Sequence, residues 1–230
     1  LIFPFSLFLF ITTASPLFFT LSLHDALPIS LSLISYCVVL AAEENGFVLS
    51  KSIDPKEVIG LGLFESFQTL FDKASNEEVT AMCASYSRNF IKLDNDPSPF
   101  FDGALDALND LKKAGYHLAI ATGKSRKGLE RALLANKLNS FFDASRCSDE
   151  TASKPNPLML FEILDEIDIL PEHAIMIGDT VYDLEMATNA GIHSIGVNYG
   201  AHNPERFKKY RPLFCVDRIS DIKILLKTII

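Results

Sequence analysis

The chain has 230 residues, of which 48% are hydrophobic, and a formal net charge of −8 at pH 7. This length and composition can bury a substantial core in one domain, or in one domain with a modest insertion. A negative chain without a run of Lys and Arg argues against a nucleic-acid groove, because phosphate backbones are bound by clustered positive charge. We therefore expect small-molecule partners and no nucleic acid.

The four cysteines are far apart in the sequence and form no Cys-x-x-Cys pair, which indicates neither a zinc site nor a disulfide framework. They are Cys37, Cys83, Cys147 and Cys215. Separate thiols of this kind fit a reducing compartment, and we predict a cytoplasmic protein.

The first part of the chain, residues 1–30, differs from the rest. Residues 1–23 carry no charge and are numerous enough for a membrane span or a signal peptide. No basic segment precedes this stretch, and Pro4 and Pro16 interrupt it. Residues 21–30 also resemble translated sequencing-adapter read-through, so we interpret residues 1–30 as a non-native segment. A genuine membrane anchor and a divergent natural start are the alternatives.

Residues 31–96 are predicted to form a small helical domain. Asp54 followed by Pro55 is typical of a helix start, and Ser75 with Glu78 gives a second one. An apolar stripe at helical spacing follows the second start: Val79, Met82, Cys83, Tyr86 and Phe90. Such a stripe predicts packing rather than a cofactor site.

In residues 97–230, short apolar runs alternate with amphipathic helices after a proline-rich break. The predicted strands are 116–122, 141–144, 174–178, 194–197 and 213–216, and the predicted helices are 103–114, 125–138, 156–167, 181–190 and a last one from Ile219. Strands separated by single helices imply an α/β fold with a Rossmann-like parallel sheet. Ligands bind such a sheet where strands end and helices begin.

The sequence GDTVYD, residues 178–183, follows one of these apolar strands. Asp179 lies at the strand tip and Asp183 comes about one helical turn later, so both carboxylates can face one space. Paired carboxylates suit Mg²⁺, which takes one or two of them, keeps several waters and accepts phosphate oxygens. The alternative is that Asp179 only caps the following helix.

The sequence LAIATGKS, residues 118–125, also leads from a strand into a helix. The Thr122 hydroxyl, close backbone approach at Gly123 and the N–H groups of the helix start would form a phosphate-sized anion site. The alternative is an ordinary Ser125 N-cap, with Gly123 as a turn residue and Lys124 as a solvated charge.

Lys154 directly precedes Pro155, and a proline restricts the residue before it to extended backbone conformations. An ammonium fixed near two carboxylates and a phosphate would offset charge that develops on a transferring group. Taken alone, a single lysine is more typical of a solvated surface.

Thr122, Lys154 and Asp179 with Asp183, in this order along the alternating strands and helices, resemble the second, third and fourth motifs of the haloacid dehalogenase (HAD) superfamily. The sequences ATGK, SKP and GDT look closest to its phosphoglycolate phosphatase branch. The resemblance implies an HAD-like core at residues 97–230 and a helical cap at residues 31–96, inserted after the first strand.

The same resemblance implies a Mg²⁺-dependent phosphatase that hydrolyses a small phosphorylated metabolite, such as 2-phosphoglycolate, through an aspartyl-phosphate. Thr122, Lys154 and Asp179 would be catalytic. Thr122, Gly123 and Lys154 would bind phosphate, and Asp179 and Asp183 would hold the metal.

The first motif of that family, Asp-x-Asp-Gly-Thr at the tip of the first central strand, does not occur in this sequence. Its nucleophilic Asp would fall near Ser22. The nearest acid is Asp25, but Leu27 stands at the place of the second acid and no Gly-Thr follows. We therefore expect an inactive chain, since aspartyl-phosphate formation has no substitute carboxylate. Residues 17–21 are apolar enough to fill the vacant central strand.

Two other functions remain open from the sequence. One is another branch of the superfamily, such as a sugar-phosphate phosphatase, a phosphomutase or a dehalogenase, although the Asp179 and Asp183 pair favours metal-dependent phosphoryl chemistry. The other is a non-catalytic binding protein tethered to a membrane by residues 1–23. Substrate choice would fall to cap residues such as those of the sequence GLGL at residues 60–63.

Overall fold

A six-stranded sheet forms the centre of the computed structural model, which describes residues 5–11, 28–93, 104–222 and 224–225. The strands are β1 Phe5–Ile11, β2 Tyr116–Thr122, β3 Ala144–Cys147, β4 Ile175–Gly178, β5 His193–Val197 and β6 Phe214–Val216. Their order across the sheet is β3-β2-β1-β4-β5-β6. Every strand except β1 runs in the same direction, which confirms the predicted α/β fold.

Strand β1 occupies the centre of the sheet and is antiparallel to both neighbours. Its first residue, Phe5, pairs with Thr122, and its last, Ile11, pairs with Tyr116. The prediction of an all-parallel sheet is therefore wrong for this strand, because antiparallel pairing also satisfies its backbone N–H and C=O groups. Residues 17–21, predicted for the central place, lie outside the described residues, and β1 takes that place.

The helices α1 Pro28–Glu44, α2 Leu63–Leu70 and α3 Asn76–Leu93 form a cap between β1 and β2 in the chain. The helix start predicted at Asp54 is a single 3-10 turn, Pro55–Val58, in which the Asp54 side chain accepts a hydrogen bond from the Lys56 N–H at 2.9 Å. The second predicted start is confirmed, since Ser75 and Glu78 each accept from the other's backbone N–H.

The sheet is covered by α4 Ala104–Lys113, α5 Arg126–Ala135, α6 Leu158–Glu166 and α7 Val181–Asn189. Their bounds differ from the predicted helices by less than one turn. Strand β3 begins where the predicted strand 141–144 ends, because Phe141 and Phe142 pack edge to face on each other and against the core before the strand starts. The last predicted helix begins with a 3-10 turn, Ile219–Asp221.

Two hydrophobic clusters support these layers, one around the sheet and one inside the cap. The predicted stripe of α3 lies in the second cluster, with Val79, Met82, Tyr86 and Phe90 buried and Cys83 half-buried. The stripe is therefore packing, as predicted. The clusters are compatible with a cap at residues 31–96 and a core at 97–230, but residues 94–103 lie outside the described residues, and the boundary stays a prediction.

Among the helices that the structure describes, none combines the length and the apolar character that crossing a membrane requires.

Candidate active site

The predicted site residues lie at the edge of the sheet where β2 and β4 end. Thr122 is the last residue of β2, and Asp179 directly follows the last residue of β4. Both residues are buried. Because β1 lies between these two strands and Phe5 pairs with Thr122, the start of β1 reaches the same edge.

Lys154 and Asp183 form a buried ion pair beside this edge. The Lys154 Nζ donates a hydrogen bond of 2.7 Å to the Asp183 Oδ1, and both side chains are 0% exposed. Lys154 precedes α6, whereas Asp183 belongs to the first turn of α7. The structure thus joins the third and fourth predicted motifs through a direct contact, and the lysine is not a solvated surface residue.

The second oxygen of Asp183 is bound by the start of its own helix. Asp183 Oδ2 accepts from the Thr180 N–H at 3.0 Å and from the Thr180 hydroxyl at 2.7 Å. Thr180 is the N-cap of α7, and the two residues form a capping box. The reading of Asp179 as this helix cap is therefore wrong, because Thr180 fills that position.

Asp179 is enclosed by the loop that follows β5. Its Oδ2 accepts from the Ala201 N–H at 3.0 Å, and its backbone oxygen accepts from the His202 N–H at 3.3 Å. A Cβ at Gly200 would lie 2.0 Å from the Asp179 Cβ, so only glycine permits this approach. No periodic pattern in the sequence marks this loop, and the small residues at 200–201 are its one signal.

His202 is a buried polar residue that the sequence analysis missed. Its side chain is almost fully enclosed, and its Nδ1 accepts from the Val181 N–H at 3.1 Å. Burial lowers the pKa of the imidazole below its ordinary value, and the carboxylate of Asp179 opposes this shift. A neutral imidazole that accepts at Nδ1 carries its proton at Nε2, an atom that is buried with no hydrogen-bond partner in the described part of the chain.

The turn after β2 has features of both interpretations given above, the anion site and the ordinary Ser125 N-cap. Ser125 is the N-cap of α5 and accepts from the Gly128 N–H at 3.3 Å, as the alternative reading had it. However, Lys124 is only 5% exposed, so its reading as a solvated charge is wrong. The Lys124 N–H donates to the Thr122 Oγ1 at 3.2 Å, so this turn is closed by a hydrogen bond to the Thr122 side chain.

The cap touches this edge through residues 60–62, part of the GLGL sequence. Gly60 has a φ of +110°, and a Cβ there would lie 2.7 Å from the Thr180 Oγ1. A Cβ at Gly123 would lie 2.3 Å from the Leu61 oxygen. The Gly62 N–H donates to the Ser153 Oγ at 2.7 Å. The cap backbone is therefore packed directly against the turns that carry the predicted site residues.

A second contact between cap and core lies at Glu57. Its backbone oxygen accepts from the Tyr182 hydroxyl at 2.9 Å, and its Oε2 lies 2.7 Å from the Arg206 Nη1. Together with residues 60–62, it holds the cap over the ends of β2 and β4.

The described residues include no group of three or more His, Cys, Asp and Glu side chains that could hold a metal ion by themselves. Magnesium, however, commonly uses one or two carboxylates and completes its coordination with water and phosphate oxygens. Asp179, a buried carboxylate at a strand tip, fits that kind of site. Ser22 and Asp25 lie outside the described residues.

The fold and this edge define a class of protein: an α/β enzyme core whose strand-tip residues are closed over by a helical cap. The chain belongs to the haloacid dehalogenase-like hydrolases, since the sequence profile of that family matches residues 30–197.

Several relatives in the family are phosphatases. The chain is 29% identical over 158 residues to the pyrophosphatase PpaX of Bacillus cereus strain B4264, an alignment that covers 68% of this chain and 73% of that protein. It is 34% identical over 171 residues to "Probable phosphatase IndB" of Dickeya dadantii strain 3937, covering 73% and 74%. These relatives confirm the predicted class of enzyme, an HAD-family phosphatase.

A crystal structure of a predicted phosphoglycolate phosphatase from Haemophilus somnus 129pt is similar in fold, with a TM-score of 0.73 at 19% identity. The superposition covers 89% of this chain and 93% of that one. At this identity the likeness shows the fold alone.

Proposed function

We propose that this chain is the magnesium- and phosphate-binding frame of a phosphatase for a small phosphorylated metabolite. The observation that carries the proposal is the buried pair of Lys154 and Asp183, next to the strand ends that bear Thr122 and Asp179. Burying two charges costs several kcal/mol per ion even in real proteins. A lysine kept at this place despite that cost is suited to screening the charge of a phosphoryl group.

The roles follow from the contacts of each side chain. Asp179 holds the metal, and Mg²⁺ when bound would supply positive charge to the phosphoryl oxygens. Asp183 aids the metal site by fixing Lys154 and the start of α7, because both of its oxygens accept hydrogen bonds there. The Thr122 hydroxyl and the Gly123 N–H bind phosphate oxygens at the start of α5.

We further propose that the chain binds these ligands but turns over negligibly. The central strand β1 has the sequence FSLFLFI, which contains no acid, and Asp-x-Asp-Gly-Thr occurs nowhere in the chain. Aspartyl-phosphate formation needs a carboxylate nucleophile, which Thr122 and Lys154 lack, and the Asp179 carboxylate is assigned to the metal.

Calorimetric titration of the chain with orthophosphate in the presence of Mg²⁺ tests the binding frame. Thr122→Val and Asp179→Asn should each weaken binding about tenfold or more, whereas Thr188→Val, on the exposed end of α7, should leave it unchanged. Replacing residues 1–30 with a first strand that ends in Asp-x-Asp-Gly-Thr should then give magnesium-dependent release of phosphate. If orthophosphate binds and none of these substitutions weakens its binding, the proposal is contradicted.

Two compounds are candidate substrates. The motif resemblance favours 2-phosphoglycolate, and the name of the relative PpaX favours pyrophosphate. Phosphate release from both compounds and from a panel of sugar phosphates, measured with the segment-exchanged protein, would separate these activities. A preference for sugar phosphates would instead favour another branch of the family.

A cytoplasmic location belongs to the same proposal. None of the four cysteines forms a disulfide, and burial raises the pKa of the Cys83 and Cys147 thiols to about 12, so these two stay protonated. Cell fractionation would test the location, and co-sedimentation with lipid vesicles would support the alternative of a membrane-tethered binding protein.

A further inference from the structure

A cavity of about 630 Å³ lies between the cap and helix α5. The cap supplies a mainly apolar wall that includes Ile34 and Val38 of α1 and Tyr86 and Phe90 of α3, all members of its hydrophobic cluster. The polar residues on this side are Glu65, Ser66, Thr80 and Ser87. The half-buried thiol of Cys83 also lines it, and because burial raises its pKa to about 12 it is an uncharged part of this wall.

One end of the cavity reaches the proposed phosphate site. Gly60 and Leu61 of the cap and Gly123 of the core all line it, and Gly123 directly follows Thr122. A phosphate ester bound by the Gly123 N–H would therefore extend its alcohol part into this space. This step rests on the proposed function.

The core wall carries three cations on one face of α5 and the turn before it. Lys124, Lys127 and Arg131 line the cavity at intervals of three and four residues, which is the spacing of one helix face. At 1.5 Å per residue, Arg131 lies about 6 Å further along α5 than Lys127. The Arg131 guanidinium lies 5.9 Å from the centre of the Phe90 ring, so this end joins cap to core.

The cavity also has acidic neighbours. Glu65 on the cap side and Asp149 on the core side line it, so the cations outnumber the acids by one. Most of the apolar lining thus belongs to the cap, whereas the three cations lie on α5 and the turn before it.

Glycolate or a second phosphate, the groups that the two candidate substrates would place here, would occupy only part of this space. Pockets of roughly 300 to 1,000 Å³ hold drug-sized organic molecules and bury most of their surface. A smaller ligand would leave water against apolar walls, which is unfavourable because such walls offer few hydrogen bonds.

We propose that the substrate of this site is a phosphate monoester of a bulky, mainly aromatic alcohol that carries a carboxylate at the end away from the phosphate. The aromatic body lies against Tyr86, Cys83 and Val38. The carboxylate lies near Lys127 and Arg131, about one molecule's length from Thr122.

Binding can be measured on the chain as it exists, since the proposal does not require turnover. Calorimetric titrations with Mg²⁺ would compare orthophosphate, 2-phosphoglycolate, phenyl phosphate and 4-carboxyphenyl phosphate. We expect phenyl phosphate to bind roughly tenfold more tightly than 2-phosphoglycolate because of the apolar area it buries, and 4-carboxyphenyl phosphate to bind more tightly still.

Two variants test the two walls separately. Cys83→Phe fills the cavity and should weaken both aryl phosphates about tenfold while leaving 2-phosphoglycolate unchanged, and Cys215→Phe on β6 is its matched control. Arg131→Ala should weaken 4-carboxyphenyl phosphate but not phenyl phosphate, and Lys113→Ala on α4 is its control. This second variant keeps the test decisive if Cys83→Phe does not fold.

The outcomes separate this inference from the function on which it rests. If 2-phosphoglycolate binds as tightly as phenyl phosphate, or if Cys83→Phe weakens all ligands equally, the substrate class is wrong and the phosphate frame stands. If no phosphate compound binds, including orthophosphate, the phosphate frame itself is wrong and the inference fails with it.

Discussion

The Lys154 ammonium and the Asp183 carboxylate meet at 2.7 Å with no solvent exposure of either side chain. Thr180 binds the second carboxylate oxygen, so the ion pair is continuous with the start of α7. Because both side chains are 0% exposed, protein groups rather than water stabilise the two charges, and each is a direct partner of the other. Removing one partner must leave the other charged group in a dry environment.

Substituting Asp183→Asn tests this dependence. We expect the free energy of unfolding to fall by about 3–5 kcal/mol, because the Lys154 charge stays buried without its counterion. Urea unfolding followed by circular dichroism would measure it. Lys208→Ala, in an ion pair whose side chains are 75% and 73% exposed, is the control and should cost less than about 1 kcal/mol. Equal losses of unfolding free energy in the two variants would show that the buried ion pair contributes no more to stability than the exposed one.

The contact between cap and core at Gly60 gives a second prediction. Gly60→Ala places a methyl group 2.7 Å from the Thr180 Oγ1 at a φ of +110°. Gly46→Ala is a matched control, since Gly46 has a φ of +82° but nothing within 4 Å of its added Cβ. Both variants should lose about 1 kcal/mol of unfolding free energy from backbone strain. Only Gly60→Ala should lose a further 1–3 kcal/mol, roughly the cost of overpacking. Identical denaturation midpoints would argue that the cap does not press on Thr180.

The link between α5 and the end of β3 predicts a pH dependence. Arg126 donates to both carboxylate oxygens of Glu150, at 2.7 and 2.6 Å, and this hydrogen bonding holds the pKa of Glu150 below its ordinary value of 4.5. As pH falls through that value, the unfolded chain takes up the proton first, so the contribution of Glu150 to stability is present above it and is lost on acidification.

Glu150→Gln should therefore flatten the dependence of unfolding free energy on pH below about 4.5, by less than about 1 kcal/mol because the pair is partly exposed. Glu77→Gln, at the exposed start of α3, is the comparison. Urea midpoints measured from pH 3 to pH 6 would check the slope. A wild-type slope that persists in Glu150→Gln would refute this assignment.

Ligand removal gives a fourth prediction, on the metal. At ligand concentrations of about 100 times Kd, bound Mg²⁺ and orthophosphate should stabilise the chain by about 2.7 kcal/mol. Thermal unfolding should show this as a higher Tm that EDTA reverses. Asp179→Asn should abolish the metal-dependent part, whereas Asp165→Asn on α6 should keep it. A shift that survives in Asp179→Asn would place the metal elsewhere.

The parts of the fold that the sequence predicted are those with strong local signals. Strand β2 has the predicted bounds, because its apolar run lies between Gly115, with a φ of +91°, and the Gly123 turn. The direction of β1 has no such signal. A short apolar strand satisfies its backbone in a parallel or an antiparallel ladder, and its neighbours in the sheet decide between them.

The candidate site also contains residues whose positions followed from local sequence patterns and residues whose positions did not. The positions of Thr122 and Asp179 followed from the rule that ligands bind at the carboxyl ends of parallel strands. The contact of Lys154 with Asp183 and the position of His202 did not, because these side chains meet through loops whose course has no periodic pattern. The close approach of Gly200 to Asp179 was hidden for the same reason.

The reversed direction of β1 limits how a nucleophile could be restored. Its carboxyl end, Ile11, pairs with Tyr116 at the beginning of β2, so the seven residues of the strand separate that end from Thr122 by about 20 Å. An aspartate introduced directly after Ile11 would stand at the opposite edge of the sheet from a bound phosphate. Only the amino end of β1, at Phe5, lies beside Thr122, so a carboxylate that follows the strand, as the Asp-x-Asp-Gly-Thr motif would, requires a strand that enters the sheet from the other side.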